Sequence, residues 1–231
     1  MTCSSFGDHR IFKTENHIHV ALKPAVRVLS SAVLGGGFVK ADHIVNLKVA
    51  KNPAGRGSGF EPPETTIARY CDQIGLAGSV VGMMTGASMN SFRAATCRRK
   101  GVEVMCLVTA GVSNAGRAGD PAEWRQFEDP RCNTGTINII MLTNAHLTKG
   151  ALVEAIITVT EAKTVALHRA GVTSRSTGAP ASGTGTDAIA VVNGSGSINI
   201  RYCGKHVLFG EMLANTVIEA LTASLDQLSE T

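Results

Sequence analysis

A chain of 231 residues can bury one substantial core, and a formal net charge of +4, with Lys and Arg scattered except at Arg98, Arg99 and Lys100, gives little support to non-specific nucleic-acid binding. Hydrophobic residues make up 44% of it, yet no run reaches the roughly eighteen apolar residues of a membrane span, and the opening MTCSSFGDHRIFK lacks the apolar stretch of a secretory signal. The cysteines lie far apart with no CxxC pair, which favours reduced thiols in a cytoplasmic protein over a disulfide frame or a zinc site.

Residues 1 to about 15 are polar, so a poorly tied-down segment is expected ahead of a single domain over residues 16 to 231. HIHVAL alternates, placing His17 and His19 on one strand face; such a pair could grip a metal but more often faces solvent, and no metal site is assigned. Val26 to Leu34 reads as a strand ending at three glycines, with Ile44 to Val49 beyond them as its hairpin partner. Pro63 opens a helix that Thr65 to Ile74 carries to Gly75, buried through Ile67, Tyr70, Cys71 and Ile74.

Ser79 to Thr85, Ser91 to Cys97 and Val102 to Ala110 read as strands, the last two joined by a basic turn at Arg98 to Gly101. AGVSNAGRAGD follows as a loop of small residues in which Asn114 can orient an amide. Its continuation through Pro121, Trp124 and Pro130 is either a lid or a plain surface connection.

Thr136 to Thr143 is β-branched and bounded by turn residues, a buried strand. Thr148 then offers an N-cap hydroxyl to a helix reaching Ala170, which Gly171 stops. On a helical wheel Leu152, Ala155, Ile156, Val159, Ala166 and Ala170 form one stripe, and Lys163 falls in its middle. An ammonium there either snorkels past the sheet edge or meets a carboxylate or a substrate oxygen.

From Ser174 to Thr186 almost every residue is small, and Asp187 opens a strand through Val192. Such a loop exposes backbone N–H groups suited to an anion or an oxyanion, although glycines also serve plain turns. Ser197 to Cys203 reads as a strand paired with Asp187 to Val192 across NGSGS. From Phe209 an amphipathic helix buries Met212, Leu213, Val217, Ala220, Leu221 and Leu228, with His206 and Glu211 near its start. The expected architecture is α/β of the α+β type: one domain, a mixed sheet, and the Thr148 and Phe209 helices on one face. In each half a helix precedes a small-residue segment and two strands (Pro63 to Ala110, Thr148 to Cys203), a faint echo of a pseudo-twofold.

Ordered blocks carry a family resemblance. GTINIIMLTNAHLTKGALVEAIITVTEAKTVALHRAGV, then STGAPASGTGTDAIAVV, with VLSSAVLGGG and VTAGVSNAGRAGD before them and CGKHVLFGEMLA after, resemble the adenosylcobinamide amidohydrolase family of corrinoid-salvage enzymes over about Val26 to Leu221. The resemblance implies hydrolysis of the amide joining aminopropanol to a propionate arm of the corrin ring, giving adenosylcobyric acid for cobalamin salvage. A cobalt corrinoid is then the substrate, and no resident cofactor is firmly implied. Self-association is plausible, and neither nucleic acid nor a membrane span is expected.

Amide hydrolysis needs a nucleophile, a proton relay and oxyanion donors, and the chain has neither a GxSxG elbow nor HExxH. The expected catalytic set is Asp187, His206, Lys163, Thr186 and Glu211. In it Asp187 or His206 activates water or the Thr186 hydroxyl, Lys163 and loop amides hold the oxyanion, and His206 protonates the leaving amine. The nucleophile stays open among water, Thr136, Ser182, Thr184 and Thr186. Expected substrate contacts are Ser30, Ser31, Gly36, Asn46, Thr85, Asn114, Thr136, Asn138, Gly183, Thr184 and Gly185. Two other readings remain: a corrinoid or tetrapyrrole-binding module with no chemistry, and an acyltransferase that cleaves itself at Gly135-Thr136. The mechanism assigned to these residues requires Lys163, the bend before Ala188 and His206 to share one pocket, whereas the family resemblance does not depend on it.

Overall fold

A computed structural model of the chain describes residues 1–49, 61–121 and 135–229, with side chains through 227. Residues 50–60, together with Trp124, Pro130 and the Leu228 side chain, lie outside the described residues. In chain order the elements are β1 (Thr2–Phe6), β2 (His9–Lys13), β3 (His17–Ser30), β4 (Gly37–Lys48), α1 (Pro63–Gln73), β5 (Val80–Thr85), β6 (Arg93–Arg99), β7 (Val102–Ala110) and β8 (Ala115–Gly116). They continue with β9 (Ile137–Thr143), β10 (His146–Leu147), α2 (Lys149–Arg169), β11 (Gly183–Thr184), β12 (Ala188–Val192), β13 (Asn199–Ile200) and α3 (Leu208–Ser229).

Nine strands make one mixed sheet in the order β1-β2-β3-β12-β9-β7-β6, with β4 on the free edge of β3 and β5 beyond it. The long strand β3 is the fold line. Its first half pairs with β2 and its last three residues with β12, while β4 follows it past an irregularity between Ala21 and Val26. The sheet therefore curls into two layers with apolar side chains between them. The alternation of β9 shows how both faces are filled. Ile137, Ile139 and Met141 point to a core shared with α2 and α3, whereas Ile140 and Leu142 point to a core shared with β3, β4 and β5. A smaller cluster of Val45, Leu47, Ile67 and Cys71 seats α1 on the outside of the second layer. Fully burying each such aliphatic side chain contributes about 1.5–3 kcal/mol.

The mixed α/β architecture and the two helices sharing one face are as expected. The two parallel pairs of the large sheet, β4–β5 and β9–β12, each flank a helix in sequence, so the internal echo takes the form of two βαβ units rather than the division read from composition. Thr148 caps α2 by accepting from the Ala151 N–H at 3.2 Å, and Gly171 follows the helix at a φ of +66°, where a side chain would be strained.

Several expectations are corrected. The first fifteen residues are not loose: β1 and β2 form a hairpin joined to the sheet through β3. The two strands expected within residues 17–34 are one continuous strand. Ile74 is 38% exposed rather than buried. Ser197 to Cys203 does not pair with β12, whose edges are already taken by β3 and β9; only Asn199–Ile200 is strand, and it runs parallel to β10. On the outer face of α2, Val153 and Ile157 are each 54% exposed.

His17 and His19 are buried rather than solvated. His43 Nε2 donates to the Ala77 carbonyl at 3.1 Å, which leaves its Nδ1 to accept from His19 Nε2 at 3.1 Å. His17 Nδ1 lies 2.7 Å from the Tyr70 hydroxyl. Burial, with His43 and His17 adding to it, lowers the His19 pKa from 6.5 to about 4. The neutral ring is thus favoured by folding, a contribution complete above pH 6.5 and lost as the pH falls towards 4. Urea denaturation should show a loss of about 2–3 kcal/mol between roughly pH 7 and pH 4.5, and a smaller one in His19→Gln. An equal loss in both proteins would remove His19 from this account.

Candidate active site

The parallel strands β9 and β12 begin side by side, and their first residues meet the end of β7, the β5 terminus and the middle of α2. Strand alternation assigns each side chain there to a face. Asp187, just ahead of β12, turns towards the helices, where Lys163 reaches it from α2. The two form an ion pair with side chains only 9% and 8% exposed. Asp187 also accepts from the backbone N–H of Ile137 at 2.9 Å and of Thr184 at 3.0 Å, and from the Thr184 hydroxyl at 2.5 Å. So many donors offset the cost of burying the carboxylate.

Glycine is needed at 183 for this contact. A Cβ there would sit 2.4 Å from Asp187 Oδ2 and 2.6 Å from Lys163 Nζ. Gly183–Thr184 is also strand β11, paired with Ala115–Gly116 of β8, which draws the Asn114 loop alongside the Thr184 to Asp187 bend. Asp120 ties the same two loops together by accepting from the Ser174 hydroxyl at 2.5 Å and the Thr177 hydroxyl at 3.1 Å, and these bonds hold its carboxyl below the usual carboxylate range.

Thr136 precedes β9 and is 4% exposed. Its Oγ1 lies 2.7 Å from Thr186 Oγ1, and Thr186 Oγ1 donates to the Gly135 carbonyl at 3.1 Å. Since a carbonyl only accepts, the single Thr186 proton is committed to it, and Thr136 is the donor to Thr186. Gly135 is walled in: a Cβ there would meet Asn114 Oδ1 at 2.0 Å and Ser113 Oγ at 2.9 Å.

On the face of β9 turned away from the helices, Asn138 Nδ2 donates to Asn46 Oδ1 at 2.7 Å and to the Met84 carbonyl at 2.8 Å, while Asn46 Nδ2 donates to Thr109 Oγ1 at 2.8 Å. The Ala188 N–H donates to Asn138 Oδ1 at 3.2 Å. This satisfied amide chain rivets the two sheet layers beneath Thr136 and leaves these side chains 1–2% exposed.

The structure thus brings together Lys163, Asp187, Thr136, Thr184, Thr186, Gly183 and Asn114, with Asn46 and Asn138 as the floor. Ser30, Ser31 and Thr85 serve the local backbone instead, accepting from the N–H groups of Ala32, Ile189 and Ala87 at 2.9, 3.1 and 3.0 Å. Gly36 permits a turn whose Ala32 carbonyl would stand 2.3 Å from a Cβ, and Gly185 is exposed with open space beside it. Ser182 accepts from the Ala118 N–H at 2.8 Å.

His206 and Glu211 are not part of the cluster. Both are exposed; the His206 ring lies 6.0 Å from that of Tyr202, and Glu211 faces Arg99 at the end of β6 at 3.8 Å. The start of α3 packs beside Val104 and Thr143, at the far end of β9. Seven residues of strand, roughly 20 Å, separate that end from Thr136. Thr109 and Asp120 were not singled out in the sequence. The one hydroxyl inside the otherwise apolar second half of β7 was the available signal for the first.

A family model described as adenosylcobinamide amidohydrolase matches residues 2–231. An uncharacterized protein of Methanocaldococcus jannaschii is 40% identical over 171 residues, 65% of this chain, which spans about two thirds (66%) of that protein. The adenosylcobinamide amidohydrolase of Methanosarcina mazei is 30% identical over 211 residues, 87% of this chain and 90% of its own. Among solved structures, the PH0078 protein of Pyrococcus horikoshii aligns with a TM-score of 0.45 at 15% identity over 95% of this chain and 79% of its own. A model match from the second residue to the last, including the strand, helix and bend that build the cluster, makes this chain a member of the adenosylcobinamide amidohydrolase family.

Proposed function

We propose that this chain hydrolyses the amide between aminopropanol and the corrin ring of adenosylcobinamide, releasing aminopropanol and adenosylcobyric acid, and that Thr136 is its nucleophile. The observation that carries the assignment is the Thr136–Thr186 hydroxyl contact beside a buried Lys163–Asp187 pair. Thr136 Oγ1 bonds to the amide carbonyl carbon as its proton passes to Thr186 Oγ1 and the proton Thr186 held passes on towards the amide nitrogen. The C–N bond breaks, the relayed proton goes to the leaving amine, and water then hydrolyses the ester on Thr136. Asp187 fixes the peptide of Ile137, the residue after the nucleophile, and Lys163 neutralises Asp187. The relative from Methanosarcina mazei carries the activity in its name, which supports the choice of substrate.

Incubation with adenosylcobinamide and chromatography of the products tests this. Free aminopropanol should appear in step with adenosylcobyric acid. A corrinoid absorbance shift on binding, with no amine released, would instead identify a binding module without chemistry.

A further inference from the structure

The hydroxyl that is placed to attack a substrate amide is placed equally to attack the peptide bond it already carries. We infer that the chain cleaves its own Gly135–Thr136 bond and leaves Thr136 as a new amino terminus. The inference rests on the reading of Thr136 as nucleophile and adds what prepares it.

Hydrogen bonds hold the backbone on both sides of this bond. The Gly135 carbonyl accepts from Thr186, the Thr136 carbonyl accepts from the Gly111 N–H at 3.0 Å, and the Ile137 N–H is held by Asp187. Gly135 has no Cβ to stand between its carbonyl carbon and the neighbouring side chains, and a Cβ is what Asn114 and Ser113 would forbid. The proton order deduced above runs from Thr136 to Thr186 to the Gly135 oxygen, the direction an attack on that carbonyl requires.

The step balances without an added reagent until water enters. Thr136 Oγ1 bonds to the Gly135 carbonyl carbon and closes a five-membered ring; its proton passes to Thr186, and the Thr186 proton passes to the carbonyl oxygen. The C–N bond then breaks, the hydroxyl proton moves to nitrogen, and the carbonyl re-forms as an ester between Gly135 and Thr136. Water hydrolyses that ester to the Gly135 carboxylate and a free Thr136 hydroxyl. Two consequences bear on the amidase reaction. Departure of Gly135 uncovers a nucleophile that is 4% exposed in the intact chain. The new α-amine, with an ordinary pKa of about 8, stands next to its own hydroxyl as a general base.

Intact-mass spectrometry and amino-terminal sequencing of the purified full chain test the cleavage. The wild type should yield two chains that stay together in gel filtration, one ending at Gly135 and one beginning at Thr136. Thr136→Ala should remain a single chain, Thr136→Ser should cleave, and Thr186→Val should cleave about 10²-fold more slowly, the lower range for losing a proton relay. A wild type that stays uncut refutes the cleavage, and if that uncut protein hydrolyses adenosylcobinamide the proposed function stands without it. Cleavage that persists in Thr136→Ala also refutes it. A cleaved protein with no action on adenosylcobinamide leaves the cleavage intact and removes the proposed substrate.

Discussion

Thr136→Ala should lower kcat/KM for adenosylcobinamide by at least about 10³-fold, the scale on which removal of an acylating hydroxyl acts. Thr136→Ser keeps a hydroxyl on the same backbone and should stay within about tenfold of the wild type. Thr186→Val removes the proton acceptor 2.7 Å away while preserving shape, and a loss of about 10²-fold is expected for a relay of this kind. His206→Ala should stay within about twofold, because its exposed ring stands beside Tyr202 at the start of α3, at the far end of the sheet. Steady-state kinetics on the four variants, each with unchanged circular dichroism, checks the set. Near-native turnover by Thr136→Ala, or collapse of His206→Ala, would move the chemistry to the other end of β9.

The Lys163–Asp187 pair should dominate stability among the polar contacts. Lys163→Met leaves a buried carboxylate without its cation, and Asp187→Asn leaves a buried ammonium without its anion; each should cost about 3–5 kcal/mol. The double variant carries neither charge, so its cost should fall short of the sum by about 2 kcal/mol or more. Urea denaturation of the wild type, both single variants and the double closes this cycle. Additive costs would mean that the two groups do not depend on each other, despite sharing one buried contact. Both singles should also lose turnover, since Asp187 holds the Ile137 N–H and the Thr184 hydroxyl in place.

The β9–α2–β12 unit was legible because its signals are local and redundant: a β-branched strand, an N-cap threonine, a helical stripe, a glycine stop. Lys163 stood out because a charge on an apolar stripe demands a partner, and the partner is the Asp187 that ends the glycine-rich bend. Other features depend on contacts far apart in sequence. β1 has only Phe6 buried and is held by pairing with β2, so its composition resembled a loose terminus. The chain after β12 looked like a hairpin, but Gly194 and Gly196 lie against the backbone of residues 143–145, where a Cβ would come within 2.4 Å, and this contact leads it to β10 instead. The buried Asn138–Asn46–Thr109 chain joins three strands from distant parts of the sequence, and no spacing rule links them. His206 was attractive for its place ahead of a helix; what excludes it is the direction in which that helix runs across the sheet.

Rapid acid quench during a single turnover, with enzyme in excess over adenosylcobinamide and peptide mapping by mass, addresses the nucleophile itself. The corrinoid acyl group should appear on the peptide containing Thr136, as an ester that hydroxylamine releases. Adenosylcobyric acid accumulating while that peptide stays unmodified, or the acyl group found on Ser182 or Thr184, would contradict it.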